Sequence, residues 1–201
     1  HPIIERWNKN GISEQIFRIN GTMHWPGSAG ALLSWLRENE SYNYKRIRWV
    51  ICCKDWIRYK LTGVICTDYT DGSIPFMNIK TGEYSGELFS LMKLTALQEC
   101  LPPVFPSHSK IGELSVEAGK IIKVKPGVPV VNGSVDVLAA AVGSGVISNL
   151  SSLSIIGTTS VSAIVFDSPN TEPKNIGSTT YHAIPGMWLR AMGSLAGTPN
   201  L

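Results

Sequence analysis

The chain has 201 residues, 43% of them hydrophobic, which is enough for one substantial core or two smaller ones. Charged residues make up only 16%, sparse for a free-standing domain, so part of the surface is expected to lie against other parts of the protein. The net charge of +3 is small and scattered, which argues against a nucleic-acid surface, and no apolar run is long enough to cross a bilayer.

No signal-peptide pattern stands at the start. Cys52, Cys53, Cys66 and Cys100 show no CxxC spacing and no paired histidines. A reduced, cytoplasmic compartment with thiols as small core residues is therefore expected, and no metal site. Ile3, Ile4 and Trp7 fall at helical spacing up to Gly11, and a second short apolar pattern runs from Ile12 to Ile19. The stretch Asn20 to Gly27, NGTMHWPG, is a loop by composition. A loop holding His24 and Trp25 is a candidate binding loop, although Trp25 could equally anchor it into the core.

Ser28 to Asn39 reads as an amphipathic helix with Leu32, Leu33, Trp35 and Leu36 inward. Trp49 to Cys53 reads as a continuous buried strand, and Lys54-Asp55 as the start of a helix stopped by Thr62-Gly63, with Asp55 as N-cap. Asp68, Tyr69 and Asp71 have the composition of a turn whose side chains bond nearby backbone. Gly86 to Leu94 reads as a helix, ended by Pro102-Pro103, and Ser115 to Lys123 as another. Lys120, Lys123 and Lys125 form a solvated basic face.

The most informative stretch is Gly127 to Phe166. Val128 to Val131 is a short apolar run that predicts a buried strand. Ser134, Val135 and Asp136 open a helix of small residues closed by Gly143 and Gly145. Leu153 to Ile156 and Val161 to Phe166 read as strands joined by Gly157-Thr158-Thr159-Ser160. An acid at a helix mouth is ordinarily a cap, and such a tip is ordinarily a turn. Ser178 to Ala183 and the segment after Pro185-Gly186 predict two further short strands, and His182 lacks partners at metal spacing.

Taken together, GSVDVLAAAVGSGV followed by SIIGTTS resembles the domain junction of the FGGY family of carbohydrate kinases. KDWIRYKLTGVICTDYTDGS is similar to the family's segment of a K-D helix, an L-T-G turn and a T-D loop. MHWPGSAGALLSWLRENESYNYKRI resembles the substrate-side loop and helix of its pentulose kinases, in the L-xylulose kinase branch. LPPV and Gly193 to Gly197, the latter near the nucleotide side, also match.

The resemblance implies an α/β architecture of the ribonuclease H-like (actin-like ATPase) fold, with two domains and a cleft between them. Residues 1–148 would be the latter part of an N-terminal sugar-binding domain, and 149–201 the start of a C-terminal ATP-binding domain. Asp136 would be the catalytic base and contact the sugar; His24 and Trp25 would lie where the sugar enters. Gly157, Thr158 and Thr159 would face the ATP phosphates. ATP and Mg2+ are the implied cofactors, and a ketose, a pentulose such as xylulose, the implied substrate. The family's D-x-G-T-T/S phosphate loop, its D-x-R region and its adenine-binding segment are not found, so the chain is expected to be a fragment, inactive by itself. Competing expectations are a non-catalytic sugar-binding or regulatory relative and a kinase of glycerol or another polyol. An actin-like ATPase fits the KDW and LTG segments less well. A homodimer would be in keeping with the general habit of soluble proteins.

Overall fold

The computed structural model describes residues 1–174 and 176–194; positions 195–197 of the expected glycine-containing loop lie outside them. Pro2 opens α1 (Pro2–Lys9), where its missing N–H costs nothing. The helix α2 (Ile12–Asn20) ends on Gly21 at φ 73°, a left-handed turn that L side chains adopt rarely. That turn is also a close approach: a Cβ on Gly21 would meet Thr179 O at 3.1 Å. Two helices, α3 (Ala29–Asn39) and the short α4 (Ser41–Tyr44), follow.

Next come α5 (Cys53–Thr62), β1 (Thr67–Asp68), α6 (Tyr69–Ser73) and α7 (Gly86–Leu91). A 3-10 turn over Thr95–Cys100 leads to β2 (Val104–Phe105), which pairs in parallel with β1. The strand β3 (Lys110–Glu113) pairs antiparallel with β4 (Pro129–Val131), and α8 (Val116–Ile122) bridges them. After α9 (Asp136–Gly143) the chain builds one antiparallel sheet from β5 (Ser152–Ile156), β6 (Ser160–Phe166), β7 (Ser178–Tyr181) and β8 (Trp188–Ser194). Its order is β5-β6-β8-β7. The expected strand pair and the helix of small residues are thus present.

Burial separates two apolar clusters. Ile3, Trp7, Ile16, Phe76, Leu88, Phe89 and Met92 pack together, with the Phe76 and Phe89 rings stacked 4.6 Å apart. Leu138 and Ala141 of α9 pack with Ala163, Val165 and Leu189 of the sheet. The helix bearing Asp136 therefore shares its core with the strands bearing the threonine tip.

Four expectations are corrected. Trp49 to Cys52 forms no strand: Val50 N bonds Cys100 O at 2.8 Å, Trp49 is 47% exposed, and Cys52 is taken up as the cap of α5. Asp55 is accordingly not the N-cap; it sits at N3 and returns a bond to the Cys52 N–H, closing a capping box. On α3 the buried residues are Gly30, Ala31 and Ser34, while Leu32 is 51% exposed. Close approach of Trp7 and Met92 to Gly30 selects the small face of the helix, because a Cβ there would lie 2.5 Å from Met92 Sδ. Finally, β4 is a sheet edge with Pro129 and Val131 exposed, so its apolar run is not a buried strand.

Candidate active site

Asp136 is the first residue of α9, and its exposed carboxylate accepts a local hydrogen bond from Val137 N at 2.7 Å. The preceding Val135 has no side chain able to cap the helix. Instead, Val135 N donates to Thr70 Oγ1 at 2.9 Å, across 65 residues of chain. The helix start is thereby tied to α6.

Gly157, Thr158 and Thr159 form the exposed turn of the β5–β6 hairpin, between the paired residues Ile156 and Ser160. Gly157 N donates to Thr159 O at 2.9 Å, which closes the turn. The hydroxyls of both threonines stand on a solvent-facing tip. Asp136 and this tip are brought onto one packed unit through the cluster of Leu138, Ala141 and Val165, while the hydrogen bond of the carboxylate stays within its own helix.

His24 lies beside the other cluster, edge-on to Trp7 at 5.6 Å, with Nδ1 3.2 Å from Ser28 Oγ. Burial pushes its pKa down to about 4, so the ring is neutral near pH 7. Its Nε2 has no hydrogen-bond partner among the described residues. The ring contributes to the wall of a cleft of about 430 Å³ together with Asn8, Ser13, Glu14, Met23 and Lys174. Trp25 does not anchor the loop: it is 64% exposed, with its indole laid against Gly27.

A constellation not foreseen as one site lies beneath α9. Lys54 Nζ is 2.9 Å from Asp55 Oδ1, 2.8 Å from Asp68 Oδ1 and 2.9 Å from Asp71 Oδ2. Arg58 adds an ion pair to Asp55 at 3.1 Å and donates to Asn132 O at 2.7 Å. Burial alone would lower the Lys54 pKa, but the carboxylates of Asp71, Asp68 and Asp55 outweigh it and hold it above the ordinary lysine value. Burial likewise opposes ionisation of Asp68, and Lys54 with the hydroxyls of Ser107 and Thr70 overcomes it, leaving that carboxyl below the usual range. For Asp71 burial prevails over Lys54, helped by Asp68 and Asp55, and the pKa is raised.

Cys52, Asp55 and Asp71 place possible ligand atoms within 4.8 Å of one another. They do not suit Mg2+. An ammonium already stands between the two carboxylates, and burial, with Asp71 and Asp55, pushes the Cys52 thiol up to about 12, so it stays protonated. Asp68 does fulfil the turn-forming role read from the sequence: its side chain accepts from Thr70 N at 3.0 Å and caps α6. The partner missed was Lys54, whose position in the sequence carries no periodic signal.

Residues 1–143 match the family model described as the FGGY family of carbohydrate kinases, N-terminal domain. The L-xylulose/3-keto-L-gulonate kinase of Escherichia coli (strain K12) is 30% identical over 162 residues, which are 80% of this chain and 32% of that protein. The xylulose kinase of Staphylococcus xylosus is 33% identical over 157 residues, 76% of this chain and 32% of that one. A crystal structure of ligand-bound xylulose kinase from Lactobacillus acidophilus superposes with a TM-score of 0.90 at 22% identity, covering 98% of this chain and 40% of the other. That likeness gives the fold, the ribonuclease H-like (actin-like ATPase) α/β class expected from the sequence. The chain spans about a third of the length of the curated relatives it matches.

Proposed function

The chain belongs to the FGGY family of carbohydrate kinases, and on that premise we propose that the whole protein transfers a phosphoryl group from ATP to a hydroxyl of a ketose, a pentulose of the xylulose type. Residues 1–148 are read as sugar-side structure and 149–201 as the beginning of the ATP-side domain. The observation that carries the reading is the setting of Asp136: an exposed carboxylate at the mouth of α9, on a helix that shares its core with the Thr158-Thr159 hairpin.

Phosphoryl transfer through a loose transition state asks the protein for position and charge stabilisation more than for covalent chemistry. In this reading Asp136 accepts the proton of the attacking sugar hydroxyl late in the step. The open tip at Gly157, Thr158 and Thr159 offers hydroxyl donors to the phosphates of ATP. Mg2+ would supply charge neutralisation on those phosphates, and no ligand set for it is assigned to this chain. His24, whose neutral ring lines the cleft of the loop at residues 20–27, and the exposed Trp25 beside it are read as the side where the sugar enters.

The test is ADP release by the full-length protein with ATP and a panel of ketoses and polyols. Release above background with a pentulose is expected, and its absence with every pentulose overturns the substrate reading. Release with glycerol or another polyol alone would reassign the substrate within the same family.

A further inference from the structure

The buried polar network reaches the active helix at one point. Lys54 holds Asp68 Oδ1 at 2.8 Å, Asp68 Oδ2 accepts the Thr70 hydroxyl at 2.7 Å, and that hydroxyl accepts Val135 N at 2.9 Å. Ser107 Oγ gives Asp68 Oδ2 a further donor at 2.6 Å, beside the Thr70 N–H at 3.0 Å. All these links end on groups that are buried or partly buried, where an unmade hydrogen bond is costly.

We propose that Thr70, backed by Asp68 and Lys54, is a positioning residue that sets the start of α9 and thereby the aim of the Asp136 carboxylate. This rests on the reading of Asp136 as the base. Most helices are pinned at their first turn by an N-cap side chain, and Val135 offers none. Among the described residues the Asp136 carboxylate bonds only the adjacent Val137 N–H, so its direction follows the backbone that Thr70 holds. The Thr70 hydroxyl has one hydrogen. Because the ionised Asp68 takes it, an oxygen lone pair is left facing Val135 N. Lys54 keeps Asp68 in that accepting state. On the opposite side, Leu138 and Ala141 fasten the same helix to the hairpin sheet. Thr70 is thus the tie that relates the Asp136 helix to the body formed by α5, β1 and α6. A displacement of about 1 Å at a reacting group can reduce turnover roughly a hundredfold.

Thr70→Val keeps the shape and removes the hydroxyl, while Thr70→Ser keeps the hydroxyl. In the full-length protein, with ATP and the sugar that supports ADP release, Thr70→Val is expected to lower kcat per folded molecule by about ten- to a hundredfold. KM for ATP should stay within about twofold, and Thr70→Ser should recover most of the kcat. A role confined to stability would lower the urea midpoint and leave kcat per folded molecule unchanged, and that result overturns the proposal. Where Thr70→Val does not fold, Ser107→Ala reads the same tie through Asp68: a kcat lowered several-fold supports it, and an unchanged kcat overturns it. Asp136→Asn, measured alongside, separates the two claims. If it retains near wild-type turnover, the base reading fails; if it is inactive while Thr70→Val is unaffected, only the positioning role fails.

Discussion

Lys54 Nζ stands 2.8 Å from Asp68 Oδ1, and Asp68 is fully buried. Two further carboxylates, Asp55 and Asp71, crowd the same ammonium. Removing the cation leaves three acids with little water to separate them. Lys54→Met is expected to cost on the order of 2–4 kcal/mol near pH 7, measured by urea unfolding of the full-length protein.

The pH dependence of that cost follows from the direction of the shifts. The Asp68 pKa is lowered on folding by groups that outweigh its burial, chiefly Lys54. Its contribution is present above the ordinary aspartate range, about pH 4, and lost as pH falls through the depressed value. The Asp71 pKa is raised, so its ionised form opposes folding and acid relieves that cost. Lys54 lowers the pKa of both carboxyls, so without it acid relieves more of the cost in the variant than in the wild type. The stability gap between wild type and Lys54→Met should narrow from pH 6 to pH 3; a gap independent of pH would contradict the account.

His24 carries a separate pH signature. Burial lowers its pKa from 6.5 to about 4, so between those values the unfolded chain binds a proton that the fold resists. The stability is complete above about pH 6.5 and is lost, by up to about 3 kcal/mol, as pH falls toward 4. His24→Gln should flatten this part of the profile. In the same variant a raised KM for the sugar with a smaller change in kcat is expected, and an unchanged KM would remove His24 from the sugar side.

Arg190, buried on β8, donates to the carbonyls of Asn170, Glu172, Pro173 and Ile176, at 3.1 Å for Asn170 and 2.8 Å for Glu172. It holds the loop between β6 and β7 against the sheet. Arg190→Ala leaves several carbonyls without a donor and is expected to destabilise by about 2–4 kcal/mol. Faster proteolysis within residues 167–177 should accompany the loss, and an unaltered cleavage rate would show that the loop is held by other contacts.

Local chemistry made the hairpin and α9 legible. Ser152–Ile156 and Ser160–Phe166 alternate or run apolar around a glycine- and threonine-rich tip, and the small residues of α9 stop at glycines. The inward face of α3 was misread because hydrophobicity favours Leu32 and Trp35. Packing chose Gly30, Ala31 and Ser34, whose small size lets Trp7 and Met92 come close. Trp49 to Cys53 has strand-like composition without a partner strand, a fact that lies elsewhere in the chain. The same distance hides the polar network. Lys54, Asp68, Thr70, Ser107 and Val135 span more than eighty residues, and only the tertiary fold brings their polar atoms within hydrogen-bond reach.

The most direct test of the central claim is the single-turnover rate of phosphoryl transfer by full-length Asp136→Asn, with ATP and a pentulose at saturation. The account predicts a loss of about 10²–10⁴-fold, with the urea midpoint close to wild type, because an exposed, locally bonded carboxylate contributes little to the fold. A rate within a few-fold of wild type would contradict it.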